Sequence, residues 1–306
     1  MDGSKLSTTY SIVAADAEEV GVAVQTHQMC VGSRVPWILP GVGAVATQSL
    51  MHDTLGPMGL RLLELGVNPA RAVEALCVSD PDIRRRQIGL VNAAGVAAAF
   101  TGEDCIREAG HRVGRGYSVQ ASMMMRDDVI DAMAIAFEST TDGLAERMLA
   151  ALSAAEEHDG DIRGMQSAAL LTAPAGPDVR PWKRIFDLRV DESETPLSDL
   201  ERLVRLRRAQ LIDESGHRLL DAGHIEAAME RFANARRLAP ELEELAFWQA
   251  VSVMEREPGY RDWAVKLLQN TLEFEAHPHR WYELIERLEQ AGFLTTDGMR
   301  QDLDSV

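Results

Sequence analysis

The sequence predicts an α+β domain, built as two sheets between layers of helices, followed by an all-α tail. Up to about residue 195, short apolar runs typical of strands and longer amphipathic runs typical of helices alternate in blocks. From Pro196 onward the chain is rich in Leu, Ala, Glu and Arg and shows no strand pattern. We therefore expect an N-terminal extension over residues 1–8, a four-layer αββα sandwich over residues 9–195 and a helical domain over residues 196–306.

The strands are predicted from short runs of β-branched, aromatic and small residues bounded by Gly, Pro, Asn or Asp. A loop containing Pro36 and Pro40 separates the second strand from the third, and Asn92-Ala93-Ala94-Gly95 joins a hairpin. The predicted strands are Thr9–Ala15, Val20–Gln25, Gly43–Gln48, Gln87–Val91, Val96–Thr101, Tyr117–Ala121, Gln166–Thr172 and Ile185–Val190.

The helices are predicted from apolar residues repeating every three or four positions and from residues that start or stop a helix. One helix stops at Gly66, and Pro69 opens the next, because proline is favoured in the first turn. The predicted helices are Met58–Leu65, a second one from Pro69, Asp127–Phe137, Gly143–Glu157 and, in the tail, Leu200–Ser215.

The tail contains a pattern similar to tetratricopeptide helix hairpins. Ala222–Phe232, with Ala235 and Pro240, fits one such unit, and a looser unit ends near Pro278. Two units are fewer than such arrays usually need for stability, so the tail should pack on another surface. We expect a protein partner or self-association into a homo-oligomer through residues 196–306.

Composition excludes several classes of protein. The 306 residues are 46% hydrophobic and 26% charged, as in ordinary globular proteins, and the net charge of −17 argues against nucleic-acid or anionic-membrane partners. The three cysteines show no CxxC spacing, which indicates reduced thiols rather than a disulfide framework. The acidic N-terminal region has no long apolar run, so we expect a cytoplasmic protein without a signal peptide.

The start of the chain carries the strongest functional signal. A hydroxyl-rich run, Ser7-Thr8-Thr9-Tyr10-Ser11, leads directly into a strand. N-terminal-nucleophile hydrolases begin this way: a Thr, Ser or Cys side chain attacks an amide carbonyl, and the residue's own α-amine takes the proton. Thr9 is the favoured nucleophile, with Thr8, Ser7 and Ser11 as alternatives. The competing interpretation is that Thr and Tyr are simply good strand residues.

Other polar residues follow the second strand or lie farther along the chain. His27 could carry a proton or orient a group, and Ser33 could position the amine or a water molecule, although a lone histidine is more often an ordinary half-buried residue. Cys105, six residues before His111, could form a Cys–His dyad, but its acidic neighbours would raise the pKa of the thiol. No metal or cofactor pattern is present, so we expect neither.

Several segments, in order, resemble a bacterial family of unknown function that is classed as N-terminal-nucleophile-hydrolase-like. The similarity covers about residues 9–195, and the tail resembles the repeat-bearing C-terminus of one branch, sometimes labelled peptidoglycan-binding. The segments are Thr9–Ala14, Val31–Trp37, Gly41–Gln48, Phe100–Gly102, Ala109–His111, Tyr117–Ala121, Asp161–Ala169 and Asp187–Asp191.

The resemblance implies the layered sandwich, but it supplies no substrate. For a hydrolase with Thr9 as nucleophile, we expect His27, Ser33, Gln48, Gln120 and Ser122 as further catalytic residues, and His111, Arg163 and Ser167 as residues that contact a small-molecule substrate. Family members commonly begin Met-Thr at the position of Thr9, whereas eight residues precede Thr9 here. Three other positions depart from the pattern: Glu108, Met165, and Ser122, which stands where Asn is frequent.

Three functions therefore remain open. The first is hydrolysis of an amide-type bond in a small nitrogen-containing metabolite, which requires removal of residues 1–8 so that Thr9 has a free amine. The second is a non-catalytic binding or scaffold protein on the same fold, with the helical tail docking a partner. The third is a hydrolase that uses Cys105 as its nucleophile.

Overall fold

The structure is a computed structural model that describes residues 6–7, 9–272 and 278–292. The chain divides into two compact units, Met1–Val204 and Arg205–Val306. Within the described ranges, the first unit contains eleven strands in two antiparallel sheets, and the second unit is helical. No helix in those ranges is long and apolar enough to cross a bilayer.

The first sheet is centred on one long strand. Its order is β1-β5-β6-β7, and β4 pairs with β5 on the edge that β1 also contacts. The strands are β1 (Leu6–Ser7), β4 (Pro36–Leu39), β5 (Gly43–Leu50), β6 (Arg86–Asn92) and β7 (Ala97–Thr101).

The second sheet has six strands in the order β11-β10-β3-β2-β9-β8. The strand that begins at Thr9 therefore lies near its centre, between β3 and β9. The strands are β2 (Thr9–Ala15), β3 (Glu19–Thr26), β8 (Gly110–Gly114), β9 (Tyr117–Ser122), β10 (Ser167–Pro174) and β11 (Phe186–Val190).

Helices cover the outer face of each sheet. Helices α1 (Leu55–Glu64) and α2 (Pro69–Ser79) pack on the first sheet, and α3 (Val129–Ser139) and α4 (Leu144–Glu157) pack on the second. Because side chains alternate along a strand, each sheet has one face toward its helices and one toward the other sheet.

Strand β5 shows this alternation directly. Val45 belongs to a buried cluster with Leu55 and Leu76 of the helices. Ala44 and Ala46 point the other way, into a cluster with valines of β2 and β3. These small side chains allow the two sheets to pack closely.

Local signals in the sequence explain several boundaries. The Asn68 side chain accepts a hydrogen bond from the Ala70 N–H, with Pro69 in the first turn, and so caps α2. The Asn92 carboxamide oxygen accepts from the N–H groups of Ala94 and Val96, which closes the hairpin between β6 and β7.

The mixed α+β class and the helical C-terminal region are confirmed, and two local predictions are wrong. The segment around Pro36 and Pro40 is not only a loop, because Pro36 starts β4 at the edge of β5, a position where proline costs no ladder hydrogen bond. Strand β8 was not predicted: it is a short edge strand with glycine at each end and half-exposed or exposed side chains.

The second unit is built from helix pairs around small apolar clusters. Helix α5 runs into this unit from the first, and Phe232 of α6 packs against α5 at Gly216. Phe247, Ala250 and Leu268 belong to the cluster that α7, α8 and α9 share. The helices are α5 (Pro196–Asp221), α6 (Ile225–Leu238), α7 (Glu243–Arg256), α8 (Arg261–Leu272) and α9 (Pro278–Gln290).

Candidate functional site

The layer between the two sheets is apolar at one end and polar at the other. Farther along the strands, this layer is filled by valine and alanine. Toward the end where β2 begins, hydroxyl and carboxamide side chains replace them: Thr9, Ser11, Thr26, Gln48, Gln87, Gln120 and Ser122, all buried. Because burial of polar groups is costly without partners, a concentration of them at one end of a sandwich marks a candidate site.

Gln48 connects the sheets at this end. Its Nε2 lies 2.9 Å from the Thr9 carbonyl oxygen and 2.7 Å from Gln87 Oε1. Its Oε1 accepts a 2.6 Å hydrogen bond from the Ser11 hydroxyl. The Gln48 carboxamide therefore holds the first residue of β2 in place from the opposite sheet.

The carboxamide of Gln120, on β9 of the second sheet, also holds β2 in place, through Ser11. Its Nε2 donates to Ser11 Oγ at 2.7 Å, and its Oε1 accepts from Ser118 Oγ at 3.1 Å. The Gln120 side chain lies against the backbone of Gly89, where a β-carbon would collide with it. The close approach of this carboxamide therefore requires glycine at position 89.

Thr9 itself is fully buried between two hydroxyl residues. In the strand register it pairs with Thr26 of β3 and with Ser122 of β9, so the three side chains share the face toward the first sheet. Thr9 Oγ1 donates to Thr26 Oγ1 at 3.3 Å. Within the described ranges, the Ser122 hydroxyl has no hydrogen-bond partner, so it is the spare donor beside Thr9.

The chain before Thr9 crosses to the other sheet. Leu6 and Ser7 pair with Leu50 and Ser49 at the end of β5. In the uncut chain, residues that precede Thr9 therefore lie along the edge of the first sheet. The Thr9 nitrogen is an amide nitrogen rather than a free amine.

Strained backbone is concentrated around the same end. Cys30, Ser49 and Met123 have φ values of 62°, 70° and 62°, a region that residues other than glycine rarely adopt. They follow or end β3, β5 and β9, the strands that surround the start of β2. Such conformations cost about 1–3 kcal/mol each and are most common at active sites and ligand-binding sites.

His27 and Arg163 are brought together by a residue that the sequence analysis missed. The Asp161 carboxylate, buried beside Thr26, accepts from the backbone N–H of His27 at 3.3 Å and that of Arg163 at 2.9 Å. Arg163 Nη2 forms an ion pair with Asp161 Oδ2 at 3.0 Å, and the His27 ring contacts the Met165 carbonyl oxygen at 3.2 Å. This group lies next to the Thr9 end of β3.

The remaining predicted site residues have local partners. Ser33 is exposed, and its hydroxyl donates to the Cys30 carbonyl at 2.8 Å. His111 lies on the edge strand β8 and contacts Thr101 Oγ1 at 2.9 Å. Ser167 Oγ donates to the Gln28 carbonyl and accepts from the Val31 N–H at 3.1 Å, so its single donor is used within the protein.

Cys105 is not arranged as a nucleophile. Its thiol donates to the Arg86 carbonyl oxygen at 3.3 Å, and burial raises its pKa from the ordinary value. The His111 ring is occupied by Thr101 rather than by the thiol. A thiol of raised pKa is a poor nucleophile at neutral pH.

Gln87 and Asp161 are the functional candidates that sequence reasoning did not find. Gln87 Nε2 donates to Thr101 Oγ1 at 2.9 Å and to the Ala121 carbonyl at 2.8 Å, linking the two sheets. For Gln87, the signal in the sequence is a polar residue near the start of a strand, on the same face as Gly89 and Val91. Among the described residues, no group of three or more His, Cys, Asp or Glu side chains could hold a metal ion.

Residues 9–200, which contain this polar end and every strand except β1, match the model of a family described as a family of unknown function (DUF1028). The chain belongs to the DUF1028 family. This chain is similar to the crystal structure of a second DUF1028 protein, SPO2555 from Silicibacter pomeroyi, with 31% sequence identity and a TM-score of 0.58. That similarity covers 65% of this chain and 88% of the other. No curated protein matches the chain.

Proposed function

We propose that the DUF1028 region is an N-terminal-nucleophile-type amidohydrolase that acts on a small nitrogen-containing metabolite, with Thr9 as its nucleophile. The observation that carries this proposal is the position of Thr9. It is the first residue of a central strand, at the polar end of the layer between two sheets, and it pairs with Thr26 and Ser122.

The packing of helices on the outer face of each sheet supports the finer fold assignment. Helices α1 and α2 on one side and α3 and α4 on the other give the order helix, sheet, sheet, helix. That order is what a four-layer αββα hydrolase of this class would have. A fold is nevertheless no evidence of chemistry by itself, so the proposal depends on the residues around Thr9.

The reaction requires a free α-amine on Thr9, produced by cleavage of the peptide bond between Thr8 and Thr9 or by a translation start directly before Thr9. The freed α-amine would have a pKa of about 7.7–8.0 and could act as the base, which an amide nitrogen cannot. Thr9 Oγ1 attacks the carbonyl carbon of the substrate while the amine takes the hydroxyl proton. The C–N bond then breaks, and the leaving nitrogen receives that proton.

The resulting ester on Thr9 is hydrolysed by water, which regenerates the hydroxyl and releases the carboxylic acid. The Ser122 hydroxyl, beside Thr9 and without another partner in the described ranges, would donate to the oxyanion in both steps. Gln48 and Gln120 would position the strand that carries Thr9. His27 and Arg163 would orient the substrate.

The test compares chains that differ only at the start. One chain carries residues 9–306 behind an initiator methionine that is removed before Thr9, and the other is the full sequence. Both are assayed for release of amine from a panel of small primary and secondary amides. We expect turnover only by the chain that starts at Thr9, and loss of turnover in its Thr9→Ala variant.

The matched control is Thr141→Ala, at an exposed threonine before α4. This variant should keep full activity. Turnover that survives Thr9→Ala, or a panel that is not hydrolysed by the chain starting at Thr9, would reject the proposal.

A second candidate is a non-catalytic binding or scaffold protein. The observation that favours it is the full burial of Thr9 within an unbroken chain, where the surrounding carboxamides are bonded to one another. The helix pairs of the second unit, with a tetratricopeptide-like pattern, would then dock a protein or a second copy. If so, deletion of residues 205–306 should change the oligomeric state or the partners retained on affinity purification, and an unchanged profile would count against it.

A further inference from the structure

We propose that a cleft on the first unit, lined by none of the buried polar side chains around Thr9, binds a small zwitterion of the amino-acid or short-peptide class. The cleft has a volume of about 840 Å³ and lies between the turn after β3 and the segment after β5. That volume is within the range of small-molecule sites. The residues that matter are Arg34, Trp37, Met51, Asp53 and Arg86, all of which line it.

The cleft has a rigid wall. Arg86 and Asp80 form an ion pair of 2.8 Å, with side chains only 6% and 3% exposed. Arg86 also donates to the carbonyl oxygens of Leu50 and Met51, which holds the segment after β5 in place. Because Asp80 and, at 3.8 Å, the cleft residue Asp82 both pair with it, Arg86 holds the wall in place and offers no free charge to a ligand.

Arg34 supplies the free positive charge. It is exposed, and its guanidinium has no ion pair or hydrogen bond with any residue that the structure describes. Its backbone is nevertheless fixed, because its N–H donates to the Val31 carbonyl at 3.0 Å and its carbonyl accepts from Trp37 Nε1 at 3.2 Å. A guanidinium presents a planar pair of donors that matches a carboxylate.

Asp53 supplies the opposite charge. It is exposed and unpaired across the described ranges, although it lines the same cleft as Arg34. The two side chains therefore do not neutralise each other, and each remains available. A ligand with a carboxylate at one end and a protonated amine at the other would satisfy both charges at once.

An apolar wall lies beside these two charges. The Trp37 ring is packed so closely on Gly56 that a β-carbon at position 56 would collide with the indole. This contact fixes the ring, and Met51, which also lines the cleft, is half-buried. The wall suits the aliphatic body of an amino acid or dipeptide, whose ends would reach Arg34 and Asp53.

The test uses glycyl-L-leucine and two capped forms, titrated into the full-length protein and followed by backbone amide NMR shifts. N-acetyl-glycyl-L-leucine lacks the amine, and glycyl-L-leucinamide lacks the carboxylate. We expect saturable shifts at Ser33, Arg34, His52 and Asp53 with the dipeptide. Each capped form should bind at least tenfold more weakly, because it loses one charge-assisted contact.

Single substitutions measure the contributions of Arg34 and Asp53 to binding separately. Arg34→Gln should reduce dipeptide binding to the level of the leucinamide form, and Asp53→Asn should reduce it to the level of the acetylated form. The controls are Arg71→Gln and Asp142→Asn, which remove exposed charges elsewhere. Equal binding of all three probes, unchanged binding by both cleft variants, or no shifts in the wild type would overturn the proposal. None of these outcomes depends on Thr9.

Discussion

Thr9 and Ser122 face each other across β2 and β9, at the polar end of the layer between the sheets. Thr9 already donates to Thr26, whereas the Ser122 hydroxyl has no partner in the described part of the chain. In the proposed reaction, the Thr9 hydroxyl would attack the substrate and the Ser122 hydroxyl would donate a hydrogen bond to the oxyanion. This relationship underlies the first prediction.

Ser122→Ala should lower the kcat of amide hydrolysis by about a hundredfold while changing KM little, because an oxyanion donor acts mainly in the transition state. Ser122→Asn keeps a donor and should retain most of the activity. Steady-state kinetics on the chain that starts at Thr9 would measure both, with Ser139→Ala at an exposed helix end as control. An unchanged kcat in Ser122→Ala would remove Ser122 from the mechanism.

Gln48→Met should destabilise the first unit by about 3 kcal/mol, because the Ser11 hydroxyl loses its buried acceptor while Gln87 Oε1 and the Thr9 carbonyl oxygen each lose a buried donor. Urea unfolding would give the free energy of unfolding. Gln210→Met, on an exposed position of α5, should change it by less than about 0.5 kcal/mol. Equal stability of the two variants would show that the Gln48 network contributes little.

Asp80 should contribute to the loss of stability in acid. Burial alone would raise its pKa, but the hydrogen bond and charge of Arg86, with the Asp82 N–H, lower it below the ordinary value. A carboxylate with a lowered folded-state pKa stabilises the protein above about pH 4 and loses that contribution as the pH falls through the folded-state pKa.

Asp80→Asn should therefore make the free energy of unfolding fall less steeply as the pH is lowered through the acidic range. At neutral pH it should cost about 3 kcal/mol, because the buried Arg86 would lose its close carboxylate and keep only the more distant, exposed Asp82 at 3.8 Å. Thermal unfolding between acidic and neutral pH would measure both effects, with Asp142→Asn as the exposed control. If the variant lost stability in acid as steeply as the wild type, the low pKa of Asp80 would not be the cause of that loss.

Cys105 should react slowly with iodoacetamide at neutral pH in the folded protein, because burial raises the pKa of its thiol. Mass spectrometry of the labelled peptide would give the rate, with N-acetylcysteine as the reference thiol. The rate should rise in denaturant. Labelling of the native protein faster than the reference would instead favour the cysteine hydrolase.

The sequence predicted the central strands well because their signal is local. Thr9–Ala15 has the predicted bounds, and Gly43–Leu50 extends its predicted strand by only two residues. Strands β4 and β8 were missed because Pro36 and the terminal glycines of β8 look like loop residues. What makes these segments strands is pairing with β5 and β9, which the local sequence does not contain.

The candidate site was predictable in part for the same reason. Thr9 is predictable because it begins a strand within a hydroxyl-rich run, and Gln48, Gln120 and Ser122 lie in or beside polar ends of predicted strands. Gln87 and Asp161 were missed because their partners are distant in the chain: Gln87 reaches Ala121, and Asp161 reaches His27. The unpaired charges of Arg34 and Asp53 likewise become visible only when the cleft is formed.

The measurement that tests the central claim most directly is the mass of the mature N-terminus. Protein purified from its native host would be analysed by intact-mass and N-terminal peptide mass spectrometry, together with its amide hydrolysis. We predict that the active species begins at Thr9 with a free α-amine. Amide hydrolysis by a species that retains residues 1–8 would contradict the account.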